Sequence, residues 1–483
     1  MISKVITSGK AVLLGSFISK GISLISSIVL ARLLLEKDYG SMMIAGIFTG
    51  LITQIGSMGF EIYYLQHKGA EDERRKVLQQ VYNLRLCTNF LMFIFQAFIG
   101  FYLFMFTDYK TSGSILMLIS ISLILEGFNT PQETLLKDKM EFRKITIGNV
   151  FKELFATIGK VSAAFLGFGG VSFGFGPILG SLARLVYLLK IQPYKHDYFS
   201  WDKVKIKEIF HFGKHVLFGS AAMYLVQQID RIFLTIFFPQ NIVGRYSFAT
   251  GNASTISNYL LMPQGQLNLT YVTKFQAGET ALFDKLKVIQ TSTIIILLPI
   301  YVFGLIFLKE IIHYIFTDKW MLSKPLVEIF LIFYIVNLLY GTYMNVLTGL
   351  GKPRVNTLIV IIKATFLVPT LYFVSIHTKN VHFYALAFVL ISSVGDFSKL
   401  FLSLKTIGVS FNLYLKKIKF DFLFLAVSMF PIICSYNQSL KLRLFSFIFY
   451  ILLYFIFCFL LRRKLNQEID FIAKVLKIKK WLK

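Results

Sequence analysis

Charge is scarce in this chain, and acid is scarcer than base. Only 16% of the 483 residues are charged, whereas a soluble protein carries about 25%. That deficit excludes an ordinary soluble domain. The 25 Asp and Glu are outnumbered by 51 Lys and Arg, giving a net charge of +26. Cysteine is limited to Cys87, Cys434 and Cys458, all in or at the edges of apolar runs, where they read as small packing residues. No G-x-x-x-x-G-K-[ST] occurs, so ATP hydrolysis by this chain is not expected. His211 and His215 stand four apart, but no third ligand is near and no H-E-x-x-H occurs, so no metal or cofactor is expected.

Apolar residues are abundant instead. They make up 55% of the chain, with 51 Phe and a mean hydropathy of +0.65. Fourteen apolar segments recur, at 11–35, 41–65, 86–106, 113–136, 145–167, 169–190, 214–238, 243–267, 288–308, 325–348, 355–376, 381–404, 418–436 and 444–461. Runs near 20 residues cross a hydrocarbon core of about 30 Å as helix. Their Ser, Gly and Phe content, without dyad alternation, argues for helices over barrel strands. The expectation is an all-α polytopic membrane protein of about 14 transmembrane helices. Segments 145–167, with three charges, and the short 418–436 are the weakest, and twelve spans stay open as the alternative count.

With a cytoplasmic N-terminus, the loops and tails on that side hold 34 of the 51 basic residues, against 10 on the other side. The positive-inside rule then puts both termini in the cytoplasm of a cell-membrane protein. Topology accounts for the basic excess, and no nucleic-acid partner is implied. The apolar run after MISKVITSGK is too long for a signal peptide, and no cleavage site precedes Arg32, so the segment reads as a retained first helix.

The chain says GKAVLLGS at 9–16 and GKHVLFGS at 213–220. Aligned without gaps at offset 204, residues 9–40 and 213–244 share ten identities, three of them glycine (Gly9, Gly15 and Gly40). Six segments separate the copies, so both cross in the same direction and the repeat is parallel. The organisation expected is a six-helix lobe at 1–190, a cytoplasmic linker at 191–213, and a second lobe at 214–404. Two further helices at 405–461 and a basic cytoplasmic tail at 462–483 complete it. On helix 1, Ser16, Ser19, Lys20, Ser23, Ser26 and Ser27 fall within an arc of about 120°. The equivalent positions in helix 7 are Ser220, Met223, Tyr224, Gln227, Asp230 and Arg231. A polar stripe on a spanning helix faces either a water-filled cavity or a packed neighbour. Close packing accounts for the serines but not for Lys20, where a charge costs about 2.5–3.5 kcal/mol.

The stretch IVLARLLLEKDYGSMMIAGIFTGLITQIGSMGFEIYYLQ resembles the first hairpin of Wzx-type polysaccharide flippases. These belong to the multidrug/oligosaccharidyl-lipid/polysaccharide exporter superfamily. TPQETLLKDKMEFRK at 130–144 is similar to that family's basic helix 4–5 loop. FGKHVLFGSAAMYLVQQIDRIFLTIFF with VGRYSFA is similar to its helix 7 and the start of helix 8. The resemblance covers most of residues 1–270 and is closest to the colanic acid and teichuronic acid exporter branch. It implies translocation of a lipid-linked oligosaccharide, usually on undecaprenyl diphosphate, for surface polysaccharide biosynthesis, and not an enzyme. A cationic cavity suits that cargo, because cations bind phosphate oxygens by charge-assisted hydrogen bonds. The candidate substrate-binding residues are Lys20, Ser16, Ser23, Ser27, Gln227, Asp230, Arg231, Lys160 and Lys363. Membrane lipids and a polysaccharide polymerase are the other expected partners, and a proton or sodium gradient, or the substrate's own gradient, would supply energy.

The remaining ionisable residues within apolar segments are Glu126, Lys152, Glu153, Arg184, Asp396 and Lys399, and of these Arg184 reads as snorkelling to an interface. Asp396 and Lys399 read as an i,i+3 pair. Three rivals stay open. An ion-coupled multidrug exporter would use Asp230. A peptidoglycan-precursor flippase would share the fold. A membrane-embedded polysaccharide polymerase would need a larger outer loop than KEIIHYIFTDKWMLSK at 309–324.

Overall fold

The computed structural model describes residues 2–194, 200–273, 275, 280–435, 438–461 and 465–475. Parts of the expected linker (195–199) and tail (462–464 and 476–483) lie outside them. The described residues are helical, with no strand among them. The chain divides into two compact units, Met1–Ser247 and Phe248–Lys483.

The first unit holds α1 (Ile2–Leu33), α2 (Glu36–Ser57), α3 (Phe60–Gln66), α4 (Glu71–Phe106), α5 (Lys110–Asp138), α6 (Phe142–Phe165), α7 (Ser172–Ile191), α8 (Lys203–Gln227) and α9 (Ile229–Phe237). α10 (Gln240–Val272) begins within it. Asp38 starts α2 by accepting from the Leu35 backbone N–H at 2.8 Å. Met58 and Gly59, both with positive φ, break the chain between α2 and α3. The basic stretch at 130–144 differs from the expected loop: α5 runs through Pro131 to Asp138, leaving only a short turn before α6. A core of Met58, Phe60, Tyr64, Val77, Leu78, Val81, Leu84 and Ile209 ties α3 and α4 to α8.

The second unit contains α11 (Thr280–Ile306), α12 (Leu308–Glu310), α13 (Lys324–Tyr340), α14 (Val346–Gly349), α15 (Pro353–His377) and α16 (Val381–Ile407). They are followed by α17 (Phe411–Lys417), α18 (Lys419–Ser435), α19 (Leu440–Leu460) and α20 (Asn466–Val475). Its core joins α11, α16 and α17 through Leu286, Tyr343, Leu404 and Tyr414. Two ion pairs pin its periphery. Arg443 of α19 grips both oxygens of Glu310, and Lys287 of α11 meets Glu468 of α20.

Ten helices among the described residues are long and apolar enough to cross a membrane, or eleven if α17 and α18, bent by 56°, form one span. The other three of the fourteen sequence segments are helical as well. α6 carries Lys152, Glu153 and Lys160, helix 7 is interrupted at Gln228 between α8 and α9, and α10 is rich in Asn, Gln, Ser and Thr. These features dilute their hydropathy without preventing helix formation.

One contact repeats itself. A Cβ on Gly40 would strike the Gln240 carbonyl, and one on Gly244 would strike the Glu36 carbonyl. Arg245 Nε donates to Glu36 Oε2 at 2.8 Å, and Gln240 Nε2 donates to Ser41 Oγ at 2.5 Å. Each partner stands 204 positions from its counterpart: 36 with 240, 40 with 244, 41 with 245. When i meets j and the equivalent of j meets the equivalent of i, the contact has a local twofold axis. The sequence repeat is therefore expressed as a symmetric helix crossing, closed by two glycines.

Candidate functional site

The stripe on α1 separates into two edges. Gly15 lies under Thr146 and Val150 of α6, and Ser26, on the same side of the helix, is completely buried. Ser16, Lys20, Ser23 and Ser27 lie along the other edge and are half-buried. The second copy keeps this division. Asp230, the counterpart of Ser26, is buried, while Ser220, Tyr224 and Arg231 are half-buried and Gln227 is exposed. Packing therefore explains one edge of each stripe and leaves the other edge polar and partly open.

Helix 7 does not continue straight through its stripe. The break at Gln228 starts α9 just before Asp230, and Arg231 Nη1 donates to Gln228 Oε1 at 3.1 Å. Asp230 Oδ2 accepts from the Tyr246 hydroxyl at 2.8 Å. Tyr224, at the position equivalent to Lys20, donates to the Gly46 and Ile47 carbonyls of α2 at 3.3 and 3.1 Å. Lys20, Asp230 and Arg231 all belong to the first unit.

Lys160 of α6 stands 3.9 Å from Glu153. In the second unit Lys363 of α15 reaches Asp396 of α16 at 3.8 Å, so Asp396 pairs across helices rather than with Lys399 along its own. The larger departure concerns Arg184, which does not snorkel. It is 7% exposed, and its guanidinium spans Glu126 at 3.2 Å and Glu133 at 2.5 Å. Lys152 at 2.5 Å and Ser181 at 2.8 Å complete the shell around Glu126. Lys137 closes on Glu133 at 2.8 Å. Five charges are thus held among α5, α6 and α7, and Glu126 and Lys152 keep about a quarter and a third of their side chains open. Sequence reasoning found Glu126, Lys152 and Arg184 one by one. It missed Glu133, although that residue falls inside the apolar segment 113–136; its i,i+4 spacing to Lys137 was the available signal.

Tyr194, in the segment before α8, donates to Gln79 Oε1 at 3.3 Å, and burial pushes its hydroxyl up to about 12, so it stays a donor. No group of three or more His, Cys, Asp or Glu able to hold a metal occurs among the described residues. The side chain of His215 lies outside them.

The described residues form a multi-pass helical bundle with polar faces and ion networks inside its apolar spans, and solved structures share the fold. The lipid II flippase MurJ, in an inward closed conformation, superposes with a TM-score of 0.67 at 17% identity, covering 94% of this chain and 99% of that one. An inward-facing multidrug resistance transporter of the MATE family, MOP superfamily, gives 0.60 at 12% identity, over 81% and 94%. Residues 29–325 match the family described as polysaccharide biosynthesis protein, and the chain belongs to that family. It is 22% identical over 340 residues to the succinoglycan biosynthesis transport protein ExoT of Rhizobium meliloti, covering 69% of this chain and 67% of that one. It is also 26% identical over 164 residues to the uncharacterized membrane protein MJ1068 of Methanocaldococcus jannaschii. That match spans 33% of this chain and 32% of its relative.

Proposed function

We propose that this protein is a flippase that carries a lipid-linked oligosaccharide across the cytoplasmic membrane for surface polysaccharide biosynthesis. The observation that carries the reading is the open polar edge kept in both copies of the repeat: Ser16, Lys20, Ser23 and Ser27 in one, Ser220, Tyr224, Gln227 and Arg231 in the other. Polar and ionised groups in spanning helices are stable only beside water or polar partners. A sugar diphosphate is a cargo that needs both water and cations, whereas its polyprenyl chain can remain in lipid. Lys20 and Arg231 grip the phosphates, and alternating access moves the head group across. No bond is made or broken.

Energy comes from an ion gradient or from the substrate's own. Asp230, buried and held by Tyr246, is the stripe's carboxylate able to serve an ion. Family membership and the succinoglycan relative favour a polysaccharide intermediate over a peptidoglycan precursor, for which the fold likeness alone speaks.

The test is polymer export in a strain lacking the gene, normalised to membrane protein level. Lys20→Ala and Arg231→Ala should lower export, and Lys20→Glu should lower it further because it repels phosphate. Lys20→Arg should retain part of it. Full export by Lys20→Glu would remove Lys20 from the substrate path. Rescue of a strain lacking its peptidoglycan-precursor flippase, without polymer export, would transfer the reading to that rival.

A further inference from the structure

The start of α8 is amphipathic in a way that the transport reading does not use. Ile206 and Ile209 turn inward, Ile209 fully buried in the core with Met58 and Phe60. On the opposite face, Lys203, Lys207 and His211 follow at i, i+4 and i+8, one line along the helix. They border an open cleft of about 990 Å³ whose other described walls are Tyr63, Val204, Glu208 and Phe212. Asp202 fixes this turn by accepting from the Val204 and Lys205 backbone N–H groups at 3.0 and 3.1 Å.

The charge in the cleft is unbalanced. Lys205, off this line, stands 3.9 Å from Glu73, but neither Lys203 nor Lys207 has a carboxylate within 4 Å among the described residues. Glu208, the one acid among the described lining residues, accepts from the Tyr63 hydroxyl at 3.1 Å. The Tyr63 ring meets Phe212 edge-on at 5.8 Å, so an apolar surface adjoins the cations directly. The cleft also lies where spans end: α3 closes the helical stretch Glu36–Gln66, and the next span opens at Glu71. Trp201, half-exposed, stands two residues before Lys203. Tryptophan and tyrosine favour this headgroup level.

We propose that this cleft binds an acidic phospholipid of the bilayer. Lys203 and Lys207 take the phosphate, and the acyl chains lie against Tyr63, Val204 and Phe212. The partner is a bilayer lipid because Lys203 and Lys207, with no carboxylate within 4 Å among the described residues, stand beside an apolar wall at the end of a span, where anionic headgroups and acyl chains are also adjacent. The site does not depend on what the protein transports.

The full chain in nanodiscs tests it, with Trp201 as reporter after Trp320→Phe and Trp481→Phe remove the other two tryptophans. Brominated phosphatidylglycerol should quench Trp201 more than brominated phosphatidylcholine at equal mole fraction. A lysine near an anionic surface enriches acidic lipid roughly fivefold, so Lys203→Gln with Lys207→Gln should erase the difference. Native mass spectrometry of the otherwise unaltered chain should show retained phosphatidylglycerol, lost in the same double variant. Equal quenching by the two lipids, or a preference unchanged in the double variant, would overturn the proposal. Removal of the preference by inorganic pyrophosphate with no phosphatidylglycerol retained would reassign the cleft to a soluble phosphate ligand and overturn it equally.

Discussion

Arg184 is where one residue holds most together. Two carboxylates from α5 converge on a guanidinium that is itself buried, so its loss removes their shared cation and leaves Glu126 with Lys152 and Glu133 with Lys137. Breaking a buried ion pair by removing one partner costs about 3–5 kcal/mol. Arg184→Ala should therefore lower the thermal unfolding midpoint of the purified protein sharply, and Glu133→Gln should lower it less, because Arg184 then keeps Glu126 as its counter-charge. Equal midpoints for Arg184→Ala and the parent would show the network to be dispensable. At this scale the sequence was half legible. Ionisable residues within apolar runs stood out, so Glu126, Lys152, Arg184 and Asp230 could be named. Their partners could not, because Glu126 meets Arg184 across 58 positions and Lys363 meets Asp396 across 33. Only the fold chooses among such pairings, and so Arg184 was expected at an interface.

Helices show their glycines in two roles. Gly40 and Gly244 admit a neighbouring backbone, whereas a Cβ at Gly46 would meet nothing within 4 Å. Gly46→Ala should stabilise α2 by about 0.5–1 kcal/mol, through the helical preference of alanine. Gly40→Ala and Gly244→Ala should both destabilise, and to a similar extent, since each drives a Cβ into the other helix of the same crossing. Unfolding midpoints of the three variants check this; a neutral Gly40→Ala beside a damaging Gly244→Ala would contradict the symmetric contact. Element positions were largely readable, because runs of apolar residues near 20 long have few alternatives. The break at Gln228 was not readable. Apolar composition continues through it, and the polar stripe had been projected as one straight helix.

For the molecule as a whole, topology is the property that the basic residues predict most directly. Both termini and the 191–213 segment are expected in the cytoplasm, on the 34-to-10 division of Lys and Arg. None of the three cysteines is in a disulfide, and Cys87 and Cys434 are exposed, so a cysteine-free background should fold. A cysteine introduced at Ser200 should react with a membrane-impermeant maleimide only after cells are opened. Labelling of intact cells would reverse the orientation.

The paired glycines also bear on ancestry. A crossing in which Glu36 faces Gly244 while Gly40 faces Gln240 is the contact that a half-length chain would make with a second molecule of itself. In such a homodimer one glycine would have served both sides of the axis, and one mutation would have struck the interface twice. Copies joined in a single chain would be free to diverge, and around this crossing the counterparts do differ: Ser41 corresponds to Arg245, and Glu36 to Gln240. The two glycines are the same in both copies, and a backbone-to-backbone approach at each leaves no room for a Cβ.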